Sequence, residues 1–278
     1  MTLGEHLDEL RRRIILALLG VAVGVAIAFI FNRQVFQVLF WPLWMGTRGQ
    51  PPKLYYHTLA STFVVYFRVC LIFGLIISSP YVIYQLWQFV ARGLYENERR
   101  VVRRIVLPSV LLFLAGVAFY FLIVSPAVVY FLLDFGNTAY PSPGQWHLPW
   151  VDWIVPASPL PPPASQPMAS GSFVAPMLTL GEYINFTVLM GLVFGLAFQT
   201  PLVIVFLART GIVPFQTLKK SRKYVFFICL LVAVFATPSQ DLFSNVSMTL
   251  AMYLLYELGM LFLALGGRKR QPAGRIRD

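Results

Sequence analysis

The sequence predicts an all-α membrane protein: six transmembrane helices in one concave bundle, both termini cytoplasmic, spans five and six short. Three observations lead there. Hydrophobic residues make up 58% of the 278-residue chain and charged residues 12%, with a mean hydropathy of +0.71, too apolar for a water-soluble surface. Six apolar stretches recur, near residues 14–31, 62–87, 105–135, 183–208, 224–237 and 242–265, and a helix crossing the hydrocarbon core needs about 20 residues. Of the 22 Lys and Arg, 18 fall on one side of that pattern: Arg11 to Arg13, the second and fourth connections and the C-terminal tail. That side is read as cytoplasmic. Arg33, Arg48 and Lys53 lie on the other side, and Arg68 is left inside the second span.

The elements follow in order within a single domain, 1–278. Residues 1–13 read as a cytoplasmic amphipathic helix, because Thr2 and Glu5 have capping-box spacing and Leu3, Leu7, Leu10 and Ile14 fall at helical intervals. Arg11 to Arg13 followed by Ala26-Ile27-Ala28 imitates a cleavable signal peptide. The apolar run continues through Phe31, which favours an anchor. Pro80, Pro108, Pro126 and Pro201 lie inside spans and predict bends. The 136–177 connection is external and rich in Pro and Trp, and Thr179 with Glu182 predicts a capped start for the fourth helix. The fifth span has 14 residues, about 21 Å, against a core of about 30 Å. After Thr237-Pro238-Ser239-Gln240-Asp241 the sixth span opens on Ser244, Asn245, Ser247 and Thr249, which predicts local thinning or a wet recess. Residues 266–278 form a basic tail. Cys70 and Cys229 sit in apolar runs and read as buried thiols.

No nucleotide, zinc-protease, dithiol or hydrolase motif occurs, and His6, His57 and His147 are too dispersed to form a ligand cluster. The reading is therefore not an enzyme, with no metal and no cofactor. The net charge of +11 is a topology signal and needs no nucleic acid. The informative residues are acidic ones within the basic face: Glu9 at the mouth of the first helix, and Glu96 and Glu98 in the second connection. The residues alone leave two readings open. The carboxylates pair with neighbouring arginines, or they accept a cationic peptide.

Four segments now bear on that choice: His6-Leu7-Asp8-Glu9-Leu10-Arg11-Arg12-Arg13, Ser79-Pro80-Tyr81-Val82-Ile83-Tyr84-Gln85, Phe89 to Arg99, and Thr237 to Asp241. Their order on six spans resembles the TatC family, the multispanning receptor subunit of the twin-arginine protein translocase. The resemblance covers nearly the whole chain except the Pro-rich connection. It implies a cytoplasmic-membrane, multi-pass receptor for twin-arginine signal peptides of folded proteins. It also implies association with TatA- and TatB-type single-span subunits, a homo-oligomeric receptor complex within membrane lipid, and the proton-motive force as energy source. On matching positions Glu98 would take the arginines, Glu9 would line the same site and Phe89 would lie beside it. A guanidinium offers a carboxylate a planar pair of donors that lysine does not reproduce.

The resemblance also implies partner-helix contacts at Gln199, Thr237, Asp241 and Asn245. Gln199 stands where the family usually has glutamate, so its two readings are a partner contact and support of a kink at Thr200-Pro201. Asp241 reads equally as a helix N-cap. Arg92 replaces a proline common in the family loop, and Thr58 to Ser61 is less acidic than usual. Glu257 reaches the cytoplasmic interface or pairs within the bundle. The competing function is a secondary transporter or channel for a small solute, which requires midplane ionisable groups and usually a repeat. Asp134 and Glu257 are the only acidic residues well inside spans, and no repeat is evident.

Overall fold

The computed structural model of the chain describes residues 3–47, 54–56, 58–94, 96–139, 178–211, 213–236 and 242–267. Regular structure among them is helical, apart from one bridge between Tyr55 and Thr179. Helix α1 runs unbroken over Leu3–Ile30. The amphipathic helix expected over 1–13 is therefore not separate: no proline or glycine follows Gly4 until Gly20, so nothing stops the helix before the apolar run. Thr2 lies outside the described residues.

Helix α2, Asn32–Gly46, occupies a connection in which the sequence reading placed no element. Its Val35, Leu39, Leu43 and Gly46 form a buried stripe at helical spacing, while Trp41 and Trp44 face outward. Helix α3, Leu59–Arg92, is capped by Thr58, whose side chain accepts from the Ser61 N–H at 3.2 Å. That gives the Thr58 to Ser61 segment a local structural role. Helix α4 covers Glu96–Phe119 and α5 covers Ser125–Ala139. Between them Tyr120–Val124 forms a π-helical turn, with the Ser125 N–H bonded to the Tyr120 carbonyl. The wide turn ends two residues before Pro126, whose ring does not fit a regular α-helical ladder.

The fourth span is two helices, α6, Leu180–Ala197, and α7, Thr200–Arg209. Helix α6 starts where expected, but Thr179 does not cap it with its side chain. Its backbone is held extended by Tyr55: the Tyr55 N–H donates to Leu178 and the Leu180 N–H donates to Tyr55. After Gly211, at φ +76°, come α8, Phe215–Lys220, α9, Arg222–Ala236, and α10, Leu242–Gly267.

Among the described residues five helical stretches are long and apolar enough to cross a membrane: Gly4–Ile30, Ala60–Arg92, Arg104–Phe135, Leu180–Arg209 and Leu242–Ala264. Helix α9 has 15 residues, about 22 Å, and is short as expected. The sixth stretch is not short: α10 has 26 residues, about 39 Å. Its polar opening belongs to the helix itself. Thr249 donates to the Asn245 carbonyl at 2.8 Å, and Ser244 and Thr249 are buried in the bundle.

The packing is led by α1 along α3. Helices α4 and α6 pack on α3 and on each other, α2 packs on α5, and α10 gathers α7 and α9. Lipid tails are as apolar as leucine, so helices gain nothing from merely hiding apolar side chains from them. Close backbone approach replaces that drive. At the α1–α3 crossing a Cβ on Gly74 would lie 2.6 Å from the Val25 nitrogen, and one on Gly24 would strike the Gly74 carbonyl. Gly74→Val is expected to destabilise the chain by about 1–3 kcal/mol, the usual range for an overpacked contact. Unfolding in detergent compared with wild type checks this, and an unchanged midpoint would show that the crossing tolerates separation.

Candidate functional site

The α1–α3 crossing brings the first turns of α1 against the last turns of α3. Glu9 is buried there, only 8% exposed. Its Oε1 accepts from Arg13 Nε at 2.6 Å, one turn along α1, and lies 3.3 Å from Arg92 Nε at the end of α3. Arg13 also donates through Nη1 to Gln85 Oε1 at 2.8 Å, and Gln85 is itself buried. One turn earlier on α1, the His6 ring stacks on Phe89 with centroids 4.7 Å apart. Glu9 and Phe89, singled out on separate segments of sequence, thus belong to one cluster.

Residues 93–95 connect α3 to α4, and Arg99 Nε donates to the Leu94 carbonyl at 3.3 Å. Glu98 is the third residue of α4, immediately beyond that turn. Its side chain lies outside the described residues, as do Thr237 and Asp241. Asn245 is the fourth residue of α10, half-buried, and its carbonyl carries the Thr249 bond.

The cluster differs in one respect from a site of waiting carboxylates. Glu9 already holds two guanidinium groups of its own chain. Arg13 is 15% exposed and anchored twice, whereas Arg92 is 44% exposed and approaches more loosely. The sequence reading weighed Arg92 only as a replacement for proline, and it missed Gln85. A polar side chain within an apolar span was the available signal for Gln85; nothing local could pair Arg92 with a residue 83 positions earlier. The arrangement suits reversible binding of a planar cation, exchanged at the exposed arginine. It offers no activated nucleophile and no acid–base pair.

A second polar group joins three helices farther along. Trp87 Nε1 on α3 donates to Ser109 Oγ on α4 at 3.0 Å, and that hydroxyl donates to Gln199 Oε1. Gln199 Nε2 returns a bond to the Ser109 carbonyl at 3.0 Å. Gln199 sits at the α6–α7 break, where Pro201 has no N–H for the Ala197 carbonyl. Thr200 Oγ1 donates to that carbonyl at 2.7 Å, so threonine supports the kink and glutamine spans to α4. Glu257 pairs within the bundle: Arg222 Nη2 lies 3.0 Å from Oε2, and the Tyr253 hydroxyl donates to Oε1 at 3.1 Å.

Comparison with known proteins places this geometry in context. The family model described as "TatC: Sec-independent protein translocase protein (TatC)" matches residues 5–250. A TatC protein of Desulforapulum autotrophicum is 31% identical over 266 residues, covering 96% of this chain and 85% of that protein. One from Carboxydothermus hydrogenoformans is 30% identical, covering 95% and 93%. A solved structure titled "Crystal Structure of Twin Arginine Translocase Receptor- TatC in DDM" superposes with a TM-score of 0.71 at 28% identity, over 92% of this chain and 98% of that one.

Breaking the three-helix network is expected to be costly and non-additive. Ser109→Ala strands the Trp87 donor and the Gln199 carbonyl oxygen while the bond from Gln199 Nε2 to the backbone carbonyl remains, and should cost about 0.5–2 kcal/mol, the range for bonds between membrane helices. The double variant Ser109→Ala/Gln199→Leu should lose less than the two single losses together. Additive losses in detergent unfolding would mean that the contacts carry no coupling.

Proposed function

Because the chain belongs to the TatC family of Sec-independent protein translocase proteins, we propose that it binds twin-arginine signal peptides at the cluster around Glu9 and nucleates assembly of the translocase. The chain is a translocase subunit, not an enzyme, and a multi-pass protein of the cytoplasmic membrane. In this reading α9 makes the fifth of six crossings, with the bilayer thinned around its 15 residues. Both termini lie in the cytoplasm, where the excess of Lys and Arg belongs.

The observation that carries the proposal is the buried Glu9 carboxylate engaged by two guanidinium groups, one of them exposed. A peptide with adjacent arginines presents the same chemistry. Its first guanidinium displaces Arg92 from Glu9, its second takes Glu98 across the α3–α4 turn, and Phe89 bounds the site. Arg13 and Gln85 stay in place and hold Glu9 in register. A loaded site then recruits TatA- and TatB-type subunits, whose transmembrane helices meet Gln199, Thr237, Asp241 and Asn245, in a homo-oligomeric receptor driven by the proton-motive force. Gln199 keeps one amide hydrogen beyond its bond to the Ser109 carbonyl for such a contact.

Photo-crosslinking of the full chain in membranes to an arginine-pair peptide tests the site. Glu9→Gln and Glu98→Gln are each expected to weaken binding by about tenfold or more, the value of a charge-assisted hydrogen bond. Full binding by both Glu98→Ala and Glu98→Gln sinks the assignment. Arg92→Ala should have the opposite sign, binding the peptide severalfold more tightly because no internal cation competes. Equal or weaker binding by that variant would remove the displacement step.

A further inference from the structure

Arg68 plays no part in the cluster or in the three-helix network, yet it is a cation within a span. It lies 17 residues before Gln85 on α3, about 26 Å along the helix, and no charged residue intervenes. That separation is close to the hydrocarbon thickness of about 30 Å. With Arg13 and Gln85 at one boundary of the apolar slab, Arg68 marks the other. Its Nη1 donates to Asn185 Oδ1 at 2.9 Å, and among the described residues no carboxylate lies within ion-pair distance of it. Exposed at this boundary and bonded to one neutral amide, the guanidinium keeps donors for an anion.

The surroundings define which anion. Arg68 lines a cleft of about 560 Å³ between the entry of α3 and the entry of α6, with Tyr55, Tyr56, Thr179, Glu182 and Asn185. The Tyr55–Thr179 bridge ties these two entries together, so the cleft has fixed walls. Glu182 precedes Asn185 by three residues, about 4.5 Å nearer the start of α6 and therefore farther from the membrane centre than the Arg68 contact. An adjoining cavity of about 530 Å³ shares Glu182 and Asn185 but is otherwise walled by apolar side chains such as Leu43, Val128, Leu132 and Phe186. From inside to outside the order is cation, then carboxylate, beside an apolar hollow and two interfacial tyrosines.

The geometry points to a bound phospholipid whose headgroup carries an ammonium beyond its phosphate, of the phosphatidylethanolamine type. The phosphate accepts from Arg68 in the fork geometry that guanidinium favours. The ammonium reaches outward to Glu182, and an acyl chain lies in the adjoining cavity. A headgroup without the ammonium leaves Glu182 facing a net negative charge, so the cleft discriminates between zwitterionic and anionic lipids. This reading does not depend on the peptide-binding proposal.

Native mass spectrometry of the delipidated full chain tests it, with phosphatidylethanolamine, phosphatidylglycerol or inorganic phosphate added. Wild type should hold one phosphatidylethanolamine at collision energies that strip the rest, and should prefer it to phosphatidylglycerol. Arg68→Gln should reduce retention of that lipid about tenfold or more. Glu182→Gln should keep the lipid but lose the preference. Melting curves and the intermediate retention expected of Arg68→Lys separate loss of the site from loss of the fold. Three outcomes overturn the proposal: undiminished retention in Arg68→Gln, no preference in wild type, or inorganic phosphate displacing the lipid. Failure of wild type to retain any lipid overturns it as well.

Discussion

The structure depends on one constraint of its solvent. Inside a bilayer a helix cannot lower its free energy by hiding leucines from lipid, so association rests on close van der Waals contact and on polar groups that find partners. The α1–α3 crossing shows this most directly. Exposed apolar side chains such as Leu18, Leu19 and Val23 cover the outer face of α1, and the most apolar window of that helix is only 11% buried. What holds α1 is the backbone approach at Gly24 and Gly74 and the polar contacts at its N-terminal end. The same approach sets the candidate site, because Glu9 and His6 reach Arg92, Gln85 and Phe89 only when the two helices run in contact.

Polar side chains follow a consistent arrangement. Each group described here stands at a helix end, a helix break or the boundary of the apolar slab: Glu9 with Arg13, Gln85 and Arg92; Gln199 with Ser109 and Trp87; Arg68 with Asn185; Glu257 with Arg222. The glutamine at 199 fits its partner in a way glutamate would not. It accepts from the Ser109 hydroxyl and donates to the Ser109 carbonyl, whereas an ionised carboxylate would set a second acceptor against that carbonyl. Both contacts come from a residue ninety positions away. Arg92, at the end of α3, supplies a second internal cation for Glu9.

Much of this was legible in the chain. Apolar runs locate the long helices because burial in lipid requires length and composition, both local quantities, although α1 and α4 begin 11 and 9 residues before their runs. Glu9 and Phe89 stood out because an acidic residue in a basic face and a motif in order need no coordinates. Helix α2 was missed because its polar Asn32, Arg33, Gln34 and Gln37 break up the apolar run of a segment only 15 residues long. The sixth helix was judged short because hydroxyls were read as a wet end, although Thr249 satisfies itself on its own helix. Thr179 opens the helix with the extended backbone of an N-cap residue, but its hydroxyl makes no bond to the first turn.

The sequence by itself determined that this chain lives in a membrane, how many apolar stretches it has, which face is basic and which few acidic residues break that pattern. Those properties depend on composition and on spacing along one helix. The tertiary structure decided the partners: that Glu9 is held by Arg13 and Arg92, that Gln199 closes on Ser109, and that Arg68 and Glu182 share one cleft. Such pairings link residues tens of positions apart. They depend on which helices cross and at what depth, and the crossings are set by steric fit at glycines, for which a linear sequence carries no distance.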